Sequence, residues 1–507
     1  MLIELAPLLS AFLMWAAFPP LGWGALVFVA PMPLLTALRR VEGRKGAALI
    51  GLVYGVTFNG LLLWWVKGAG IVAVVGLILA LAAFSVFYAL LVHSARSWPP
   101  GAWWVMAVGG WALIEFARAR IPFGGFPWGS LGYPVGEYQW PRAATQFIGT
   151  TGWSVVIIGV AAGLTLFVTD RRRPTVWVWP PVAVVLLLTL VGGLFPPSAD
   201  GAPVNIALVQ GGSPCPGTHC TDENALIFQS HLTLTRALGA DQVDLVVWPE
   251  SSVGSNFELV THPLTASQVA AEARRLDAYF MVGSHRNVDA TTFINANVVI
   301  EPSGDIIGEY QKHHPVPFGE YVPLRPLLDW FPPLDQVPRD MLRGDEHATF
   351  DLPGGRLGSV ISFEGAFARS VRPVIRQGAK LLVIATNEAT FGDSPATDQF
   401  IAMTRMRSAE HGVDVVHAAI TGRSAFITAD GSIKDRTDLF AEETLTTTLN
   451  YRSAGLTLYS RWGDWVQYLA LATLLATYAI QERRRRSAAT VHENATAAGS
   501  SDSLPTP

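Results

Sequence analysis

The sequence predicts an all-α transmembrane bundle of about eight helices joined to an α/β outer domain. Half of the 507 residues are hydrophobic and only 15% are charged, and the mean hydropathy is +0.32. These values are typical of a membrane protein rather than a soluble domain. Only six of the 40 acidic residues fall in the first 200 positions. The chain therefore combines an apolar N-terminal part with a polar, domain-sized segment over residues 200–460.

A membrane-spanning helix needs about 20 mostly apolar residues, and eight stretches meet or approach that length. Seven of them lie within residues 1–199, where the first two flank Pro19 and Pro20 and predict a tight helical hairpin. The eighth belongs to a C-terminal segment, 461–481. Residues 482–507 have no apolar period, and we expect them to form a disordered tail. The stretches are 2–17, 20–38, 46–66, 69–93, 102–117, 143–169, 176–195 and 464–480.

Basic residues in short loops predict how the chain is oriented in the cell membrane. Clusters occur within 39–45, at 171–173 and at 483–486, and with eight spans all three lie on one side. That side is expected to be cytoplasmic, so both termini lie inside the cell and residues 200–460 lie outside. The net charge of -4, without a basic domain, excludes nucleic acid as the main partner.

Within residues 200–460, short β-branched runs alternate with helical patterns at 265–278 and 394–412, which predicts an α/β domain. Cys215 and Cys220 are separated by a short spacer containing Pro and Gly. In an oxidising compartment we expect them to form a disulfide, with two free thiols as the alternative. The predicted strands are 204–210, 244–250, 279–285, 296–302, 356–364, 380–387 and 413–420.

Three positions in this segment carry residues suited to catalysis. Glu250 ends an apolar run, where open α/β sheets place binding residues; a solvated strand-end carboxylate is the alternative. Lys312 is one of only five lysines among 36 basic residues, and a compact ammonium is suited to stabilising an oxyanion. Ser362 lies at a strand-to-helix turn, where a nucleophile gains exposure and nearby N–H donors; a buried, backbone-bonded hydroxyl is the alternative.

His313 and His314 raise the question of a metal site. Adjacent side chains diverge, and no third ligand stands nearby in the sequence. We therefore expect no metal and no cofactor.

Five motifs occur in order along the chain: FPWGSLGY at 126–133, WPES at 248–251, YQKHHPVPFGEYVP at 310–323, ISFEGAF at 361–367 and TNEATFGDSPATDQF at 386–400. Together they resemble the apolipoprotein N-acyltransferase family, whose outer domain is similar to the nitrilase (carbon-nitrogen hydrolase) superfamily. The resemblance implies a four-layer αββα sandwich and a Glu-Lys-Cys triad that works through an acyl-enzyme. It matches Glu250 to the general base and Lys312 to the oxyanion-stabilising lysine, with Glu320, Glu364 and Asn295 in supporting positions.

The third catalytic position departs from the family, because Ser362 stands where the pattern has Cys. The pKa of a free thiol is ~8.5, whereas the pKa of an alcohol is closer to the value of ~15.7 for bulk water. Phe363, Thr390 and Ile420 with Arg423 also depart from the family pattern.

Two functions therefore stay open. The resemblance implies an enzyme that transfers an acyl chain from a phospholipid to the N-terminal diacylglyceryl-cysteine of apolipoproteins, with membrane lipids around it. The alternative is a catalytically weak or inactive homologue that binds lipid or lipoprotein. The aromatic and Gly-rich stretch 121–133 is interpreted either as a mobile lid or as an interfacial aromatic belt.

Overall fold

The computed structural model describes residues 2–170, 174–216, 220–328 and 330–501. The arginine cluster 171–173, used above to predict orientation, lies outside the described residues. The helices of the N-terminal part are α1 (Leu2–Ala16), α2 (Pro31–Arg40), α3 (Arg44–Leu63), α4 (Ile71–Ser94), α5 (Pro100–Arg118), α6 (Gln139–Ala143), α7 (Thr145–Thr169) and α8 (Trp179–Leu194).

Three described segments are long and apolar enough to cross a membrane: Arg44–Ala69, Ile71–Ser94 and Thr145–Thr169. Shorter apolar helices cover Glu4–Ala16 and Trp179–Leu194. Large apolar side chains on these helices face outward, as Leu186 does with 65% of its surface exposed. Apolar surface of this extent is expected where a bundle contacts lipid.

The second predicted span, 20–38, is not one continuous helix. A short 3-10 helix covers Gly24–Phe28, and α2 begins only at Pro31. Proline lacks the backbone N–H that a helix interior requires, and it is tolerated at a helix start. Pro19, Pro20 and Pro31 therefore divide this apolar stretch into short pieces.

Residues 200–460, for which we keep the name outer domain from the sequence prediction, contain two β-sheets. In the first, the strand order is β13-β1-β2-β3-β4-β5 with β6 paired to β4, and in the second it is β12-β11-β10-β9-β8-β7. The strands are β1 (Pro203–Gln210), β2 (Leu245–Val253), β3 (Tyr279–Asn287), β4 (Thr292–Ile300), β5 (Ile306–Gln311), β6 (Asp340–Met341), β7 (Thr349–Leu352), β8 (Gly355–Ile361), β9 (Leu381–Thr386), β10 (Asp414–Ala419), β11 (Ala425–Ile427), β12 (Ile433–Arg436) and β13 (Glu443–Asn450).

Helices cover the outer face of each sheet, which confirms the αββα sandwich. The remaining helices are α9 (Glu223–Arg236), α10 (Pro263–Leu276), α11 (Arg325–Leu328), α12 (Ala368–Arg376), α13 (Ala396–His411), α14 (Leu458–Trp462) and α15 (Trp465–Ser501). Helices α9 and α10 pack on the first sheet through residues such as Phe228 and Val269. Between the sheets lies an apolar core that includes Leu208, Val247 and Val383.

Helices α12 and α13 lie between the second sheet and the membrane bundle. One continuous apolar cluster joins Val371 of α12 and Phe400 of α13 to Trp128 and Tyr133 of the N-terminal part. The outer domain is thus attached to the bundle through buried side chains rather than through flexible linkers alone.

The predicted strands and the two predicted helices of this domain are confirmed, and so is the disulfide between Cys215 and Cys220. The tail differs from expectation, because α15 continues to Ser501; residues 502–507 lie outside the described part. Good helix formers after residue 480 favour continuation. Glu482 also pairs with Arg485 at 3.2 Å and Arg486 at 3.0 Å, the spacings that support a helix.

Candidate active site

A buried ion network joins Glu250 on β2 to Lys312, which directly follows β5 in the first sheet. Lys312 Nζ donates to Glu250 Oε1 at 3.0 Å and to Glu320 Oε1 at 2.5 Å. Asn295 Nδ2 on β4 donates to the same Glu250 oxygen at 2.7 Å. Glu320 Oε2 in turn accepts the backbone N–H of Val316 at 2.7 Å, which fixes its loop. The structure therefore brings together four of the six residues selected from the sequence.

Charge in this network is unequally distributed. Burial raises the pKa of Glu250, but Lys312, His285 and the Asn295 hydrogen bond outweigh it, so its pKa lies below the ordinary value. Burial raises the pKa of Glu320 above the ordinary value. Lys312 lowers this pKa, but the nearby carboxylate of Glu250 raises it and partly cancels that attraction. Lys312 stays protonated, since both carboxylates hold its pKa above the ordinary value despite burial.

Glu364 connects this network to the second sheet. Its Oε1 accepts the backbone N–H groups of His313 and His314, each at 2.9 Å. Its Oε2 accepts the Tyr310 hydroxyl and the Ile361 N–H, each at 2.8 Å. His313 and His314 directly follow Lys312, and Ile361 directly precedes Ser362. One buried carboxylate therefore ties residues 312–320, which we call the lysine loop, to the end of β8.

Ser362 occupies the turn directly after β8. Its φ of +54° lies in the left-handed region, which costs a non-glycine residue about 1–3 kcal/mol and is found mainly where function requires it. A 3-10 helix, Ser362–Ala366, starts at this residue. Within the described part of the chain, the Ser362 hydroxyl forms no hydrogen bond to Glu250 or Lys312, so the triad that the resemblance implies remains a prediction.

The site lies against the membrane bundle. Phe363 packs on Phe126 with ring centroids 5.4 Å apart and stacks on Trp128 at 6.4 Å. Trp128 Nε1 donates to Gln399 Oε1 at 2.7 Å, and the Tyr133 hydroxyl donates to Ala366 O at 3.1 Å. Because Trp128 is only 2% exposed, this part of the stretch 121–133 is a buried anchor rather than an interfacial belt.

A cavity of about 560 Å³ opens beside the lysine loop, and we call it the loop cavity. Phe123 and Gly124 of the bundle line one side, and His314 and Arg343 of the outer domain line another. Gly124 has a φ of +92°, and a Cβ there would lie 2.3 Å from His314 Cε1. Only glycine allows the bundle loop this close to His314.

The sequence interpretation missed several residues around the site. Tyr310 lies in a selected motif, but its bond to Glu364 has no separate signal in the sequence. His285 Nε2 contacts Ser251 Oγ at 3.0 Å, and its pairing depends on strand register. His417 Nε2 and Glu388 Oε1 form a buried pair at 3.1 Å beneath the 386–400 motif. Among the described residues, no three His, Cys, Asp or Glu side chains group as metal ligands.

The two packed sheets and the buried Glu250–Lys312 pair lie in a domain that matches the carbon-nitrogen hydrolase family. The family profile described as carbon-nitrogen hydrolase matches residues 205–458, and the profile for the apolipoprotein N-acyltransferase N-terminal domain matches residues 10–163. The apolipoprotein N-acyltransferase of Geobacter metallireducens is 32% identical over 95% of both chains. That of Sinorhizobium medicae is 32% identical over 82% of both chains. The chain belongs to the apolipoprotein N-acyltransferase family.

The chain is also similar to solved structures of carbon-nitrogen hydrolases. A carbon-nitrogen hydrolase superfamily protein of Xanthomonas campestris is 19% identical, with a TM-score of 0.39. The match covers 52% of this chain and 96% of the Xanthomonas chain.

Proposed function

We propose that this chain is a membrane acyltransferase that moves an acyl chain from a glycerophospholipid to the N-terminal amine of a diacylglyceryl-cysteine on an apolipoprotein. The names of its relatives support the substrate classes. The observation that carries the proposal is Ser362 in a left-handed turn, tied through Glu364 to the loop of Lys312. Both substrates carry lipid tails, which fits a site packed against the bundle.

In the first half-reaction, Ser362 Oγ attacks the ester carbonyl of the phospholipid. Glu250 accepts the hydroxyl proton, and Lys312 stabilises the negative charge that develops on the carbonyl oxygen. When the tetrahedral intermediate collapses, the ester C–O bond to glycerol breaks. The departing lysophospholipid oxygen takes the proton from Glu250, which leaves an acyl ester on Ser362.

In the second half-reaction, the α-amine of the apolipoprotein attacks that ester. Glu250 accepts the amine proton, Lys312 again stabilises the oxyanion, and the bond between the acyl carbon and Ser362 Oγ breaks. Ser362 recovers its proton from Glu250, and the product is an amide. The energetically demanding step is activation of the alcohol, whose pKa lies about seven units above that of a thiol.

The test compares acyl transfer by the wild type, Ser362→Cys and Ser362→Ala in one membrane preparation. We expect weak wild-type transfer, a strong gain with Cys and loss with Ala, because a thiolate is more accessible to a carboxylate base than an alkoxide. Ser267→Ala, on the exposed face of α10, is the matched control. Equal inactivity of the Cys and Ala variants would overturn the enzyme proposal and favour the lipid- or lipoprotein-binding homologue.

We also propose that residues 200–460 lie outside the cytoplasm, with both termini inside. The disulfide between Cys215 and Cys220 supports this side, because disulfides persist in oxidising compartments. In intact spheroplasts, an added protease should cleave the outer domain and leave a C-terminal tag protected. The reverse pattern would overturn the assignment.

A further inference from the structure

The loop cavity has a strongly basic lining. Arg343 and Arg369 project from separate parts of the outer domain, and His313, His314 and His347 also contribute to the wall. Among the residues that the structure describes, no Asp or Glu lines the cavity. The cavity therefore offers cationic and neutral hydrogen-bond donors without a carboxylate that would repel an anion.

The two arginines are not neutralised within the described part of the chain. Arg343 Nε donates to the backbone carbonyl of His313 at 3.0 Å, and Arg369 donates to the carbonyl of Gly124. Neither forms an ion pair there. Burial, together with repulsion from Arg120 and Arg343, lowers the pKa of Arg369 below its ordinary value. A bound anion would relieve this repulsion.

A buried imidazole provides an independent sign of a ligand. His314 is only 8% exposed, yet its Nε2 has no hydrogen-bond partner in the described structure. Burial lowers its pKa to about 3, so the ring is neutral at physiological pH. Buried polar atoms normally have partners, and an oxygen atom of a ligand in the cavity would supply one.

The loop cavity is connected to the candidate active site through two ring contacts. His314 is two residues from Lys312, and its ring packs on Phe367 with centroids 4.5 Å apart. Phe367 packs on Phe363, the neighbour of Ser362, at 4.9 Å. At the outer rim, Phe123 is 43% exposed. An occupant would therefore have its charge in the cavity and its apolar part beside the bundle.

We propose that the loop cavity binds the phosphodiester of the glycerophospholipid donor through Arg343, Arg369 and His314. This inference rests on the proposed function, because it assigns the position of the donor at that site. The phosphate and the ester carbonyl of one phospholipid are joined through glycerol, so anchoring the first presents the second to Ser362. The apolar rim favours a lipid over an acidic peptide.

Binding is measured on the purified full chain carrying Ser362→Ala, so that turnover is not required. The probes are a fluorescent phosphatidylglycerol and a fluorescent diacylglycerol with the same acyl chains, in detergent micelles. Adding Arg343→Gln and Arg369→Gln should weaken phosphatidylglycerol binding by about tenfold or more, the scale of one lost charge-assisted hydrogen bond. Diacylglycerol binding should not change. Arg376→Gln, exposed on the same helix as Arg369, is the matched control and should leave both affinities unchanged.

Competition separates the possible anions. Inorganic phosphate should displace phosphatidylglycerol only weakly; equally strong displacement would identify a free-phosphate site and overturn the lipid assignment. Displacement by an acidic peptide alone would overturn the lipid assignment and would identify the cavity as a site for the apolipoprotein acceptor. If the two arginine substitutions weakened the binding of both lipid probes equally, or of neither, the lipid assignment would also be overturned. Since this readout does not involve acyl transfer, failure of the enzyme proposal appears separately in the Ser362 variants.

Discussion

The two halves of the candidate site come from different sheets and are held in different ways. In the half from the first sheet, Glu250, Lys312 and Asn295 are mutually hydrogen-bonded and almost fully buried. In the half from the second sheet, Ser362 is positioned by its backbone, through a left-handed turn and the anchoring of Ile361 by Glu364. The charged half is thus built without direct help from the nucleophile. This explains how Ser can occupy a position where Cys is expected while the Glu-Lys network remains intact.

The largest effect should follow from breaking the charged half. Lys312→Met or Glu250→Gln should lower acyl transfer by about a thousandfold, the scale of losing an oxyanion-stabilising group or a general base. Transfer is measured by mass analysis of a lipoprotein N-terminus. Lys380→Met, an exposed lysine in the same domain, should have no effect. A thermal midpoint that falls together with activity would indicate misfolding, whereas loss of activity at unchanged midpoint supports the catalytic role.

Helix α9, which packs on the first sheet, should also make folding stability sensitive to acid through His231. His231 is fully buried, accepts the Gly211 N–H at 3.1 Å and contacts Ile227 O at 2.8 Å, and burial lowers its pKa to about 4. The unfolded chain binds a proton first, near its ordinary pKa of ~6.5. Stability should therefore fall as the pH drops from about 6.5 to about 4, by up to about 3 kcal/mol.

Thermal unfolding in detergent between about pH 4 and about pH 8 tests this dependence, because histidine side chains titrate within that range. His231→Gln should reduce the slope but not remove it, since burial also lowers the pKa of His285 to about 4. An identical slope in the variant would exclude His231 as a contributor.

The half of the site from the second sheet depends on its contact with the bundle. Trp128→Phe removes the hydrogen bond to Gln399, whose side chain is buried. Leaving that acceptor unpaired should cost about 1–3 kcal/mol, seen as a lower thermal midpoint. Trp23→Phe is the control, because Trp23 is 57% exposed. Equal effects of the two changes would show that the anchor at Trp128 has no special role.

The smallest effect should come from the contact between the bundle loop and the lysine loop. Gly124→Ala places a methyl group against His314 and requires an L residue at positive φ, at a cost of about 1–2 kcal/mol. Acyl transfer should fall by roughly tenfold, which corresponds to that energy. Gly60→Ala, where a Cβ would meet nothing within 4 Å, is the control. Unchanged transfer by Gly124→Ala would show that the close approach is not needed.

The sequence predicted the buried strands well and the polar ones poorly. Strand β9 is buried throughout, and its apolar run is evident from composition alone. Strand β13, with the sequence ETLTTTLN, has mostly exposed or half-buried residues and gave no such signal. It forms because it pairs along the whole of β1, which is a long-range contact that local patterns do not encode.

The candidate site divides in the same way. Glu250, Lys312 and Ser362 were found from strand-end positions and motifs. The roles of Arg343, Arg369 and His314 depend on how helix α12, the loop after β5 and the segment after β6 meet around one cavity. The sequence alone suggested His314 only as a metal ligand. Composition did not reveal the helical continuation of α15, because a segment without an apolar period still forms a helix when good helix formers and i,i+4 pairs support it.

The most direct test of the account is whether Ser362 carries the acyl group. The purified chain is incubated with a phospholipid of defined acyl composition and no acceptor, digested, and measured by mass spectrometry. We predict that the peptide containing Ser362 gains the mass of one acyl chain, with release of lysophospholipid, and that Ser362→Ala gains nothing. An unmodified Ser362 peptide, or an acyl group on another residue while transfer to an acceptor proceeds, would contradict the account.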